Sequence, residues 1–359
     1  GMRVTSGSVT LKKDQQNLVG VSIGGGSPNC PCLYVVQIFD NTPASRDGTL
    51  AAGDEIVGID GSSVKGKTKV EVARLIQATK DKVTINFNKL HADPKQGLTL
   101  DLVLKKVKHR VVEGMTSSTA DALGLSRAIL CNDSLVKKLQ ELERVSATYE
   151  KLVQRVKKFL KAFLELSLAH REFGDVFSSI GVREPHHQAS LVFSKFGDTH
   201  RELEKNALTA IKAIKPMISD LNTYLNKAIP DTKLTIRKYL DCKFEYLSYC
   251  LKVKEMDDEE YSCNALNECL YRVETGNYEY RLILRCRQEA KVKFSKKRAD
   301  VLVKLELLDN KHVQDTVFQL QRLVTSLARY QTENSTVMKD NQLFPIEVDL
   351  CKGVMVLLA

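Results

Sequence analysis

The sequence contains no tryptophan, and aromatic residues make up only 6% of its 359 positions. It also lacks an uninterrupted apolar run of about 18 residues, the length that a membrane-spanning helix needs. We therefore expect a soluble, cytoplasmic protein that touches membranes only from their surface. The chain is long enough for two or three domains, and its hydrophobic content of 43% is enough for buried cores.

Catalytic and metal-binding motifs are missing as well. None of the seven histidines stands in a recognisable nucleophile motif with a serine or a cysteine. The glycine-rich stretch 22–27, SIGGGS, is not followed by the pattern of a phosphate-binding loop, and the acidic stretch 254–260, KEMDDEE, lacks the spacing of a calcium-binding loop. These absences argue against an enzyme and predict no resident cofactor.

The charge and cysteine patterns argue against two further classes. The net charge of +10 comes from 54 cations and 44 anions. The cations lie on long mixed-charge helices without interleaved aromatic residues, which argues against nucleic-acid binding. Nine cysteines, an odd number scattered through the chain, indicate reduced thiols instead of a disulfide framework.

The first part of the chain, residues 8–90, consists of short β-rich runs broken by Gly, Pro and Asn. Residues 43–64, PASRDGTLAAGDEIVGIDGSSV, join a helical turn, a GD corner, a short apolar strand and a DG turn. The run Leu18-Val19-Gly20-Val21 precedes this stretch, and a helix from Lys69 to Thr79 follows it. This order resembles a PDZ domain, a fold that captures the free C-terminus of another protein and catalyses nothing.

Residues 91–125 are predicted to be a linker that contains one basic amphipathic helix, at about 98–112. Five apolar residues fall on one helical face, and four basic residues fall on the other side. The apolar face is expected either to insert into a bilayer or to dock on a neighbouring domain. The apolar residues are Leu100, Val103, Leu104, Val107 and Val111, and the basic ones are Lys105, Lys106, His109 and Arg110.

From residue 126 to 345 the pattern is helical. Apolar residues recur at spacings of three and four from Leu135 to Ile180; a second run to about Leu270 contains Pro216 and Pro230; and a third ends near Asn341. Prolines predict bends in the second run. Three long kinked helices resemble a BAR domain of the arfaptin type, whose seams imply an antiparallel homodimer. We predict an α+β multidomain fold, a small β-rich PDZ domain followed by an all-α three-helix coiled-coil BAR domain, with a C-terminal tail at 346–359.

The pairing of these two domains resembles the protein-interacting-with-C-kinase family. The matching stretches in the first half are 12–14, 23–26, 30–32, 65–73 and 92–97, and in the second half 220–231, 243–263 and 276–290. The last residues, 351–359, do not fit the family's acidic tail. The resemblance implies a dimeric scaffold that directs trafficking of membrane receptors and transporters. It further implies protein kinase C alpha and actin regulators as partners, and a location on perinuclear, Golgi and endosomal membranes and at synapses.

The resemblance also implies a peptide site in the PDZ domain. The loop Leu18–Val21 matches the family's carboxylate-binding loop, and the captured tail adds as a strand beside Val21-Ser22-Ile23. Because Lys69 stands where a histidine would favour Ser or Thr in the tail, we expect tails of the apolar-x-apolar kind. The predicted peptide-binding residues are Lys13, Asp14, Leu18, Val19, Gly20, Val21, Ser22, Ile23, Lys69, Val70, Ala73 and Ile76.

Anionic phospholipids are the second predicted partner. On a helical wheel from Ile236 to Lys254, an apolar arc is flanked by cations, which match the family's lipid-binding face. The predicted lipid-binding residues are Arg237, Lys238, Lys243, Lys252 and Lys254, with Lys105, Lys106 and Val107 of the linker helix. A denser basic cluster comprises Arg281, Arg285, Arg287, Lys291, Lys293, Lys296, Lys297 and Arg298. For either cluster, the alternative interpretation is a solvated helix face.

Cys30-Pro31-Cys32 leaves several chemistries open. Two thiols one residue apart can share a metal, pair with another chain or become oxidised. The family resemblance implies zinc at Cys30 and Cys32, although this motif supplies only two of the four ligands of a structural zinc site. A different function class also remains open, because arfaptin-like crescents bind Arf-type or Rac-type GTPases, which would make the chain a small-GTPase effector.

Overall fold

The computed structural model describes residues 4–91, 94–113 and 134–341. The chain forms two compact units, each assembled from separate stretches of sequence. The first unit contains residues 1–133 and 235–301, and the second contains residues 134–234 and 302–359. The predicted segments 114–133 and 342–359, including the tail, lie outside the described residues.

The first unit begins with an antiparallel sheet in the order β1-β6-β4-β3-β2, with β5 beside β4. Strand β2 lies at one edge, so one of its sides is open to a further strand. The helix that follows β5 packs near β2. The elements are β1 Val4–Lys12, β2 Val21–Gly25, β3 Leu33–Ile38, α1 Pro43–Asp47, β4 Glu55–Ile59, β5 Ser62–Ser63, α2 Lys69–Ala78 and β6 Lys82–Leu90.

Alternation along the strands determines which side of this sheet is buried. In β6, Val83, Ile85 and Phe87 point into the core while the residues between them are more exposed. Helix α2 starts at a capping box, in which Thr68 and Glu71 each bond the other's backbone N–H group. The core lies between the sheet and α2, to which Val72 and Ile76 contribute.

The rest of the first unit is helical and has its own core, which includes Tyr249, Val253 and Leu284 and also Tyr34 of β3. A 3-10 turn, Pro94–Gly97, precedes the linker helix α3, Leu100–Glu113. Three further helices contribute all or part of their length to this unit: α7 Ile229–Leu266, α8 Tyr271–Glu274 and α9 Tyr278–Lys339.

The second unit contains α4 Ser134–Arg183, α5 His187–Ile214, α6 Pro216–Thr223 and a π-helical segment Tyr224–Ala228, together with the start of α7 and the end of α9. Helix α5 ends at Ile214, and after Lys215 the chain continues as α6, which starts at Pro216. Proline lacks the N–H group that would continue the hydrogen bonding of α5. Pro230 lies in the first turn of α7, where that N–H group is not needed. The predicted fold class is confirmed.

One apolar row of the second unit remains exposed. Val313, Val317, Leu320 and Val324 follow each other at helical spacing on α9, and between 48% and 65% of each side chain is exposed. On α4, Phe173, Val176 and Ile180 are exposed as well. The single chain therefore leaves part of these apolar seams exposed. Among the described helices, none has both the length and the apolar composition that spanning a bilayer requires.

Candidate peptide groove and membrane face

A groove lies between the open edge of β2 and helix α2. The loop that leads into β2 is anchored by three of its carbonyl groups. That of Leu18 accepts the N–H group of Asp14 at 2.9 Å, and that of Val19 accepts the N–H group of Ala44 at 3.0 Å. The carbonyl group of Gly20 accepts the N–H group of Phe39 at 3.0 Å. In a planar trans peptide, the N–H group points opposite to the carbonyl. The N–H groups of the next three residues, 19–21, therefore point away from the body of the domain, as a carboxylate nest requires.

The conformation of this loop depends on Gly20. Its φ angle is +81°, and a Cβ atom at this position would lie 2.1 Å from the Cβ atom of Thr42. A side chain there is excluded both by the backbone conformation and by the contact. The side chain of Thr42, which the sequence pattern did not single out, therefore packs directly against Gly20.

Lys13 and Asp14 support the loop from behind. The Lys13 side chain is buried, and its Nζ donates to Oδ1 of Asn17 at 3.1 Å and to the carbonyl group of Thr79, just after α2. Asp14 accepts the N–H group of Leu18 through Oδ1 at 2.9 Å. These two predicted peptide-binding residues thus join the loop to the end of α2 in the structure, and their direct contact with a peptide stays a prediction.

The remaining predicted peptide-binding residues lie around the groove. Val19 and Ile76 belong to the core, and Val21 and Ile23 pack against it while staying partly exposed. Val70 is 51% exposed at the first turn of α2. The sequence prediction therefore names residues that the fold brings to one groove. Partly exposed positions of this group are Gly20, Val21, Ser22, Ile23 and Ala73, and exposed ones are Leu18, Lys69 and Val70.

Cys30 and Cys32 lie in the loop between β2 and β3, with their sulfur atoms 3.8 Å apart. The hydrogen bond between the two thiols, with smaller backbone contributions, lowers the pKa of Cys30 to about 7. The same hydrogen bond, together with burial, raises the pKa of Cys32. The Cys32 thiol also donates to the carbonyl group of Gly276 at 3.2 Å, so it faces the turn before α9.

Zinc was the metal implied at this pair. The described residues contain no group of three or more His, Cys, Asp or Glu side chains arranged to hold a metal ion. Two thiols alone do not fit a structural zinc site, which takes four ligands. The zinc prediction therefore stays a prediction: among the described residues, this pair supplies two of the four ligands.

Helix α3 docks on α7 through its polar side. Lys105 pairs with Glu255 at 2.8 Å, and Lys106 pairs with Asp241 at 2.9 Å. Arg110 also reaches Asp241, at 2.5 Å. Leu102 and Val112, which lie off the predicted apolar stripe, are the buried side chains of the helix. Because the charged side faces the protein, the predicted apolar stripe faces solvent: Leu100, Val103, Leu104, Val107 and Val111 are all exposed.

The predicted lipid-binding cations of α7 have different environments. Arg237, Lys238 and Lys254 are exposed. Lys252 pairs with Asp101 of α3 at 3.2 Å, and Lys243 is fully buried. Burial, followed by the charges of Lys108 and Lys243, lowers the pKa of His109 on α3, which places this helix close to Lys243. Contact of Lys243 with a lipid headgroup would therefore need a rearrangement of this region.

The denser basic cluster meets the PDZ domain, an outcome that neither sequence interpretation considered. Arg281 donates to the carbonyl group of Gly53 at 2.9 Å, and Arg287 donates to that of Val36 at 3.2 Å. Lys291 pairs with Asp40 at 2.5 Å. The sequence pattern could not predict these partners, because every residue has a backbone carbonyl group and the residue type therefore does not indicate which one accepts the bond.

Comparisons with known proteins agree with this architecture. A PDZ domain model matches residues 8–87, and an Arfaptin-like domain model matches residues 103–338. The PRKCA-binding proteins of Homo sapiens and Pongo abelii are each 68% identical to this chain over 350 residues, which is 98% of this chain and 84% of the relative. The chain belongs to the PRKCA-binding protein family. Family membership, predicted from the sequence, is confirmed.

A more distant relative matches the helical half. Arfaptin-1 of Rattus norvegicus is 26% identical over 188 residues, which is 52% of this chain and 47% of that protein. A PDZ domain and an arfaptin-like domain in one chain, with relatives named as binding proteins, support a scaffold or adaptor.

Proposed function

We propose that this protein is a dimeric scaffold that captures the C-terminal tails of membrane proteins and kinases while resting on anionic, curved membranes, and so directs their trafficking. One observation carries the proposal. In a single compact unit, the groove along β2 and the apolar stripe of α3 are open to solvent. Within residues 4–91, 94–113 and 134–341, neither surface is covered by another segment of the chain.

The groove supports capture of a free carboxylate. Three N–H groups of the loop before β2 point outward, and the open strand edge adds backbone hydrogen bonds to an extended tail. Val70 and Lys69 lie at the start of α2, next to the position of the third residue from the end of the tail. Apolar-x-apolar tails fit this wall. Protein kinase C alpha, which the family resemblance implies, is a proposed partner, and the PRKCA-binding proteins among the relatives support it.

The membrane face combines two features. The stripe of α3 offers five exposed apolar side chains, and Arg237, Lys238 and Lys254 are exposed cations on α7. Each cation near an anionic surface contributes about 1 kcal/mol. Because α3 docks through its ion pairs, we propose that it inserts its stripe while it stays on α7. We further propose a location at the cytoplasmic surface of perinuclear, Golgi, endosomal and synaptic membranes, which the family resemblance implies.

We propose that a second copy of the chain packs against the exposed apolar rows of the second unit. The row Val313, Val317, Leu320 and Val324 lies on α9 at the three-and-four spacing of a coiled-coil seam. Pairing two chains would present two grooves to one membrane, and bivalency would raise the apparent affinity for membrane-anchored tails.

Two matched variant pairs test this function. In the groove, Val70→Glu is expected to abolish binding to an immobilised peptide with a free C-terminal carboxylate, while Arg74→Glu on the exposed side of α2 leaves it unchanged. On the membrane face, Arg237→Glu with Lys238→Glu is expected to reduce flotation with anionic vesicles at least several-fold. Lys157→Glu with Lys158→Glu on α4 serves as the control. Unchanged binding in both test variants would overturn the proposal.

The alternative function, a small-GTPase effector, rests on the arfaptin-like half alone. Its support is the 26% identity to Arfaptin-1 over 188 residues. A pull-down with Arf-type and Rac-type GTPases separates the two functions, because an effector binds only the GTP-loaded form, whereas lipid binding needs no nucleotide.

A further inference from the structure

Two histidines meet between the first two helices of the second unit. The Nδ1 atom of His170 on α4 lies 3.0 Å from the Nδ1 atom of His200 on α5. The centroids of the two rings are 5.2 Å apart. Both side chains are partly exposed, so the pair lies close to solvent. The fold thus brings two imidazoles that are 30 positions apart in the sequence into direct contact.

The helix pair holds these rings in place. The ring of Phe173 on α4 stacks on that of His200, with centroids 5.3 Å apart, and the ring of Phe196 on α5 lies 4.5 Å from it. About one turn along, the hydroxyl group of Ser167 donates to the carbonyl group of Glu204 at 3.5 Å. Aromatic neighbours on both helices therefore position the imidazole of His200 opposite α4 before any ligand arrives.

The pair has two arrangements of its hydrogens. In a neutral imidazole, one ring nitrogen is a donor and the other is an acceptor. Within the pair, the Nδ1 atom of one histidine therefore donates to that of the other. If the donating ring carries its hydrogen on Nε2 instead, both Nδ1 atoms present a lone pair to the same space. Two neutral imidazoles in that state are two metal ligands.

The distance between the two Nδ1 atoms fits a shared ion. A bond from zinc to an imidazole nitrogen is about 2.0–2.1 Å long. Two such nitrogens are then about 2.8–3.0 Å apart at a right angle and about 3.3–3.4 Å apart at a tetrahedral angle. The observed 3.0 Å lies within this span. The ion would lie beside the line that joins the nitrogens, so each ring has to turn about its Cβ–Cγ bond, without a shift of either helix.

From this geometry we propose that His170 and His200 bind a divalent transition-metal ion, with water in its remaining coordination positions. Imidazole suits copper, nickel and zinc, whereas magnesium and calcium take oxygen ligands. Copper is expected to bind most tightly of the three. The described residues contain no group of three or more ligating side chains, so the site is open and exchangeable instead of a closed structural one. It is independent of tail capture and of membrane binding.

An ion at this pair would tie α4 to α5. It binds while the two helices are paired and loses one ligand when they separate. At a free ion concentration of about 100 times Kd, separation of the helices at this point becomes about 100-fold rarer. The proposal therefore predicts a local effect on the second unit in addition to binding itself.

Calorimetry with Ni²⁺ on the full chain tests the site. Asparagine removes the imidazole but keeps a polar atom near the position of Nδ1, so a hydrogen bond to the remaining ring is retained. We expect His170→Asn and His200→Asn each to lower the affinity by about tenfold or more, because one imidazole alone then holds the ion. His187→Asn, at an exposed histidine of α5, is the control and should bind as the unaltered chain does. Unchanged binding in both test variants would overturn the proposal.

The free thiols are the competing ligands, and Co²⁺ distinguishes them from imidazoles. Thiolate ligands give bound Co²⁺ a strong near-ultraviolet absorption that imidazole ligands do not give. We expect the first equivalent of Co²⁺ to show only weak visible bands, and both test variants to lose them. If the first equivalent instead shows the thiolate absorption, and the variants keep it, cysteines hold the ion and the proposal is wrong.

Hydrogen exchange separates a metal site from a structural hydrogen bond. In the unaltered chain, Ni²⁺ at about 100 times Kd is expected to slow exchange of the backbone N–H groups around His170 and His200 by about tenfold or more. In the two asparagine variants, Ni²⁺ should change nothing. This comparison of the unaltered chain with and without Ni²⁺ does not depend on how well the variants fold. Equal exchange with and without Ni²⁺ in the unaltered chain would show a structural hydrogen bond only and would contradict the proposal.

Discussion

The fully buried carboxylate of Asp54 accepts a hydrogen bond from the guanidinium group of Arg285, which lies 231 positions later in the chain. The same carboxylate accepts the N–H groups of Ala51 at 2.9 Å and Leu90 at 3.0 Å. One side chain thus shapes a corner of the PDZ sheet and joins that sheet to α9.

Arg285→Gln is expected to weaken this junction. The charge-assisted hydrogen bond is lost while Asp54 stays buried, and we expect the free energy of unfolding to fall by about 1–3 kcal/mol. The backbone bonds to Asp54 remain, which keeps the loss below that of an unpaired buried charge. Denaturant unfolding measures it, with Lys296→Gln, an exposed position on the same helix, as the control. Equal midpoints for the two variants would contradict the assignment.

Lys13→Met is expected to loosen the carboxylate loop. The variant removes the ammonium group that bonds the exposed Asn17 side chain and the carbonyl group of the partly buried Thr79, and the latter loses its donor. We expect a loss of about 1–3 kcal/mol of stability and weaker peptide binding. The neighbouring Lys12 is exposed, so Lys12→Met should change neither. If the two variants behave alike in thermal unfolding and calorimetry, the supporting role of Lys13 is wrong.

The thiol of Cys30 is expected to titrate near neutral pH. Its pKa is about 7 in the folded chain and 9.0 ordinarily, chiefly because of its hydrogen bond with the Cys32 side chain. Since the folded-state pKa is the lower one, the thiolate stabilises the fold fully above pH 9, and this contribution is lost as the pH falls through about 7. Thiolate absorbance near 240 nm records the step.

Variants of the pair check the cause of that shift. Cys30→Ser should remove the step near neutral pH, and Cys32→Ala should move it towards the ordinary value. Cys269→Ala, at an exposed thiol whose pKa is raised by Glu274, should leave it unchanged. A step that survives in Cys30→Ser would show that another thiol is responsible.

Leu104→Gln with Val107→Gln is expected to lower binding to anionic vesicles several-fold. These two side chains are 68% and 51% exposed on the stripe of α3, and their insertion is driven by burial of apolar surface. Flotation measures the loss. Val292→Gln, at a similarly exposed apolar residue of α9, is the control. If the α3 variant and this control float equally well, α3 does not belong to the membrane face.

Val317→Glu with Leu320→Glu is expected to convert a dimer into a monomer. Both residues belong to the exposed apolar row of α9, and burying a carboxylate there without a partner is unfavourable. Sedimentation equilibrium should give twice the mass of one chain for the unaltered protein. A monomer at micromolar concentration would contradict the pairing, as would a dimer that survives both substitutions.

Local patterns predicted the elements well. The β-rich pattern of residues 8–90, the helix predicted from Lys69 and the proline signal at Pro216 each correspond to a feature of the structure. These signals are short-range, because strand alternation, proline geometry and turn residues act over a few positions. The order of loop, strand and helix also led to the predicted groove residues, whose contact with a peptide stays a prediction.

Long-range partners were not predictable in the same way. The sequence pattern located the apolar stripe of α3, yet it did not show that Lys105 and Lys106 would face Glu255 and Asp241. Nor did it indicate that Arg285 would reach Asp54, or that Gly26 would bridge Thr68. These contacts join residues far apart in the chain through backbone groups or single charged side chains. Such groups form no periodic pattern in the sequence from which the contact could be predicted.

The most direct test of a scaffold that joins tails to membranes follows a soluble tail peptide. A fluorescent peptide with a free C-terminal carboxylate, which does not bind lipid, is mixed with anionic vesicles of small diameter and the full chain, and the vesicles are floated. We expect the peptide to float only when the protein is present. We expect the Val70→Glu protein to float with the vesicles but without the peptide. Protein that floats with the vesicles but never carries the peptide would contradict a scaffold that joins tails to membranes.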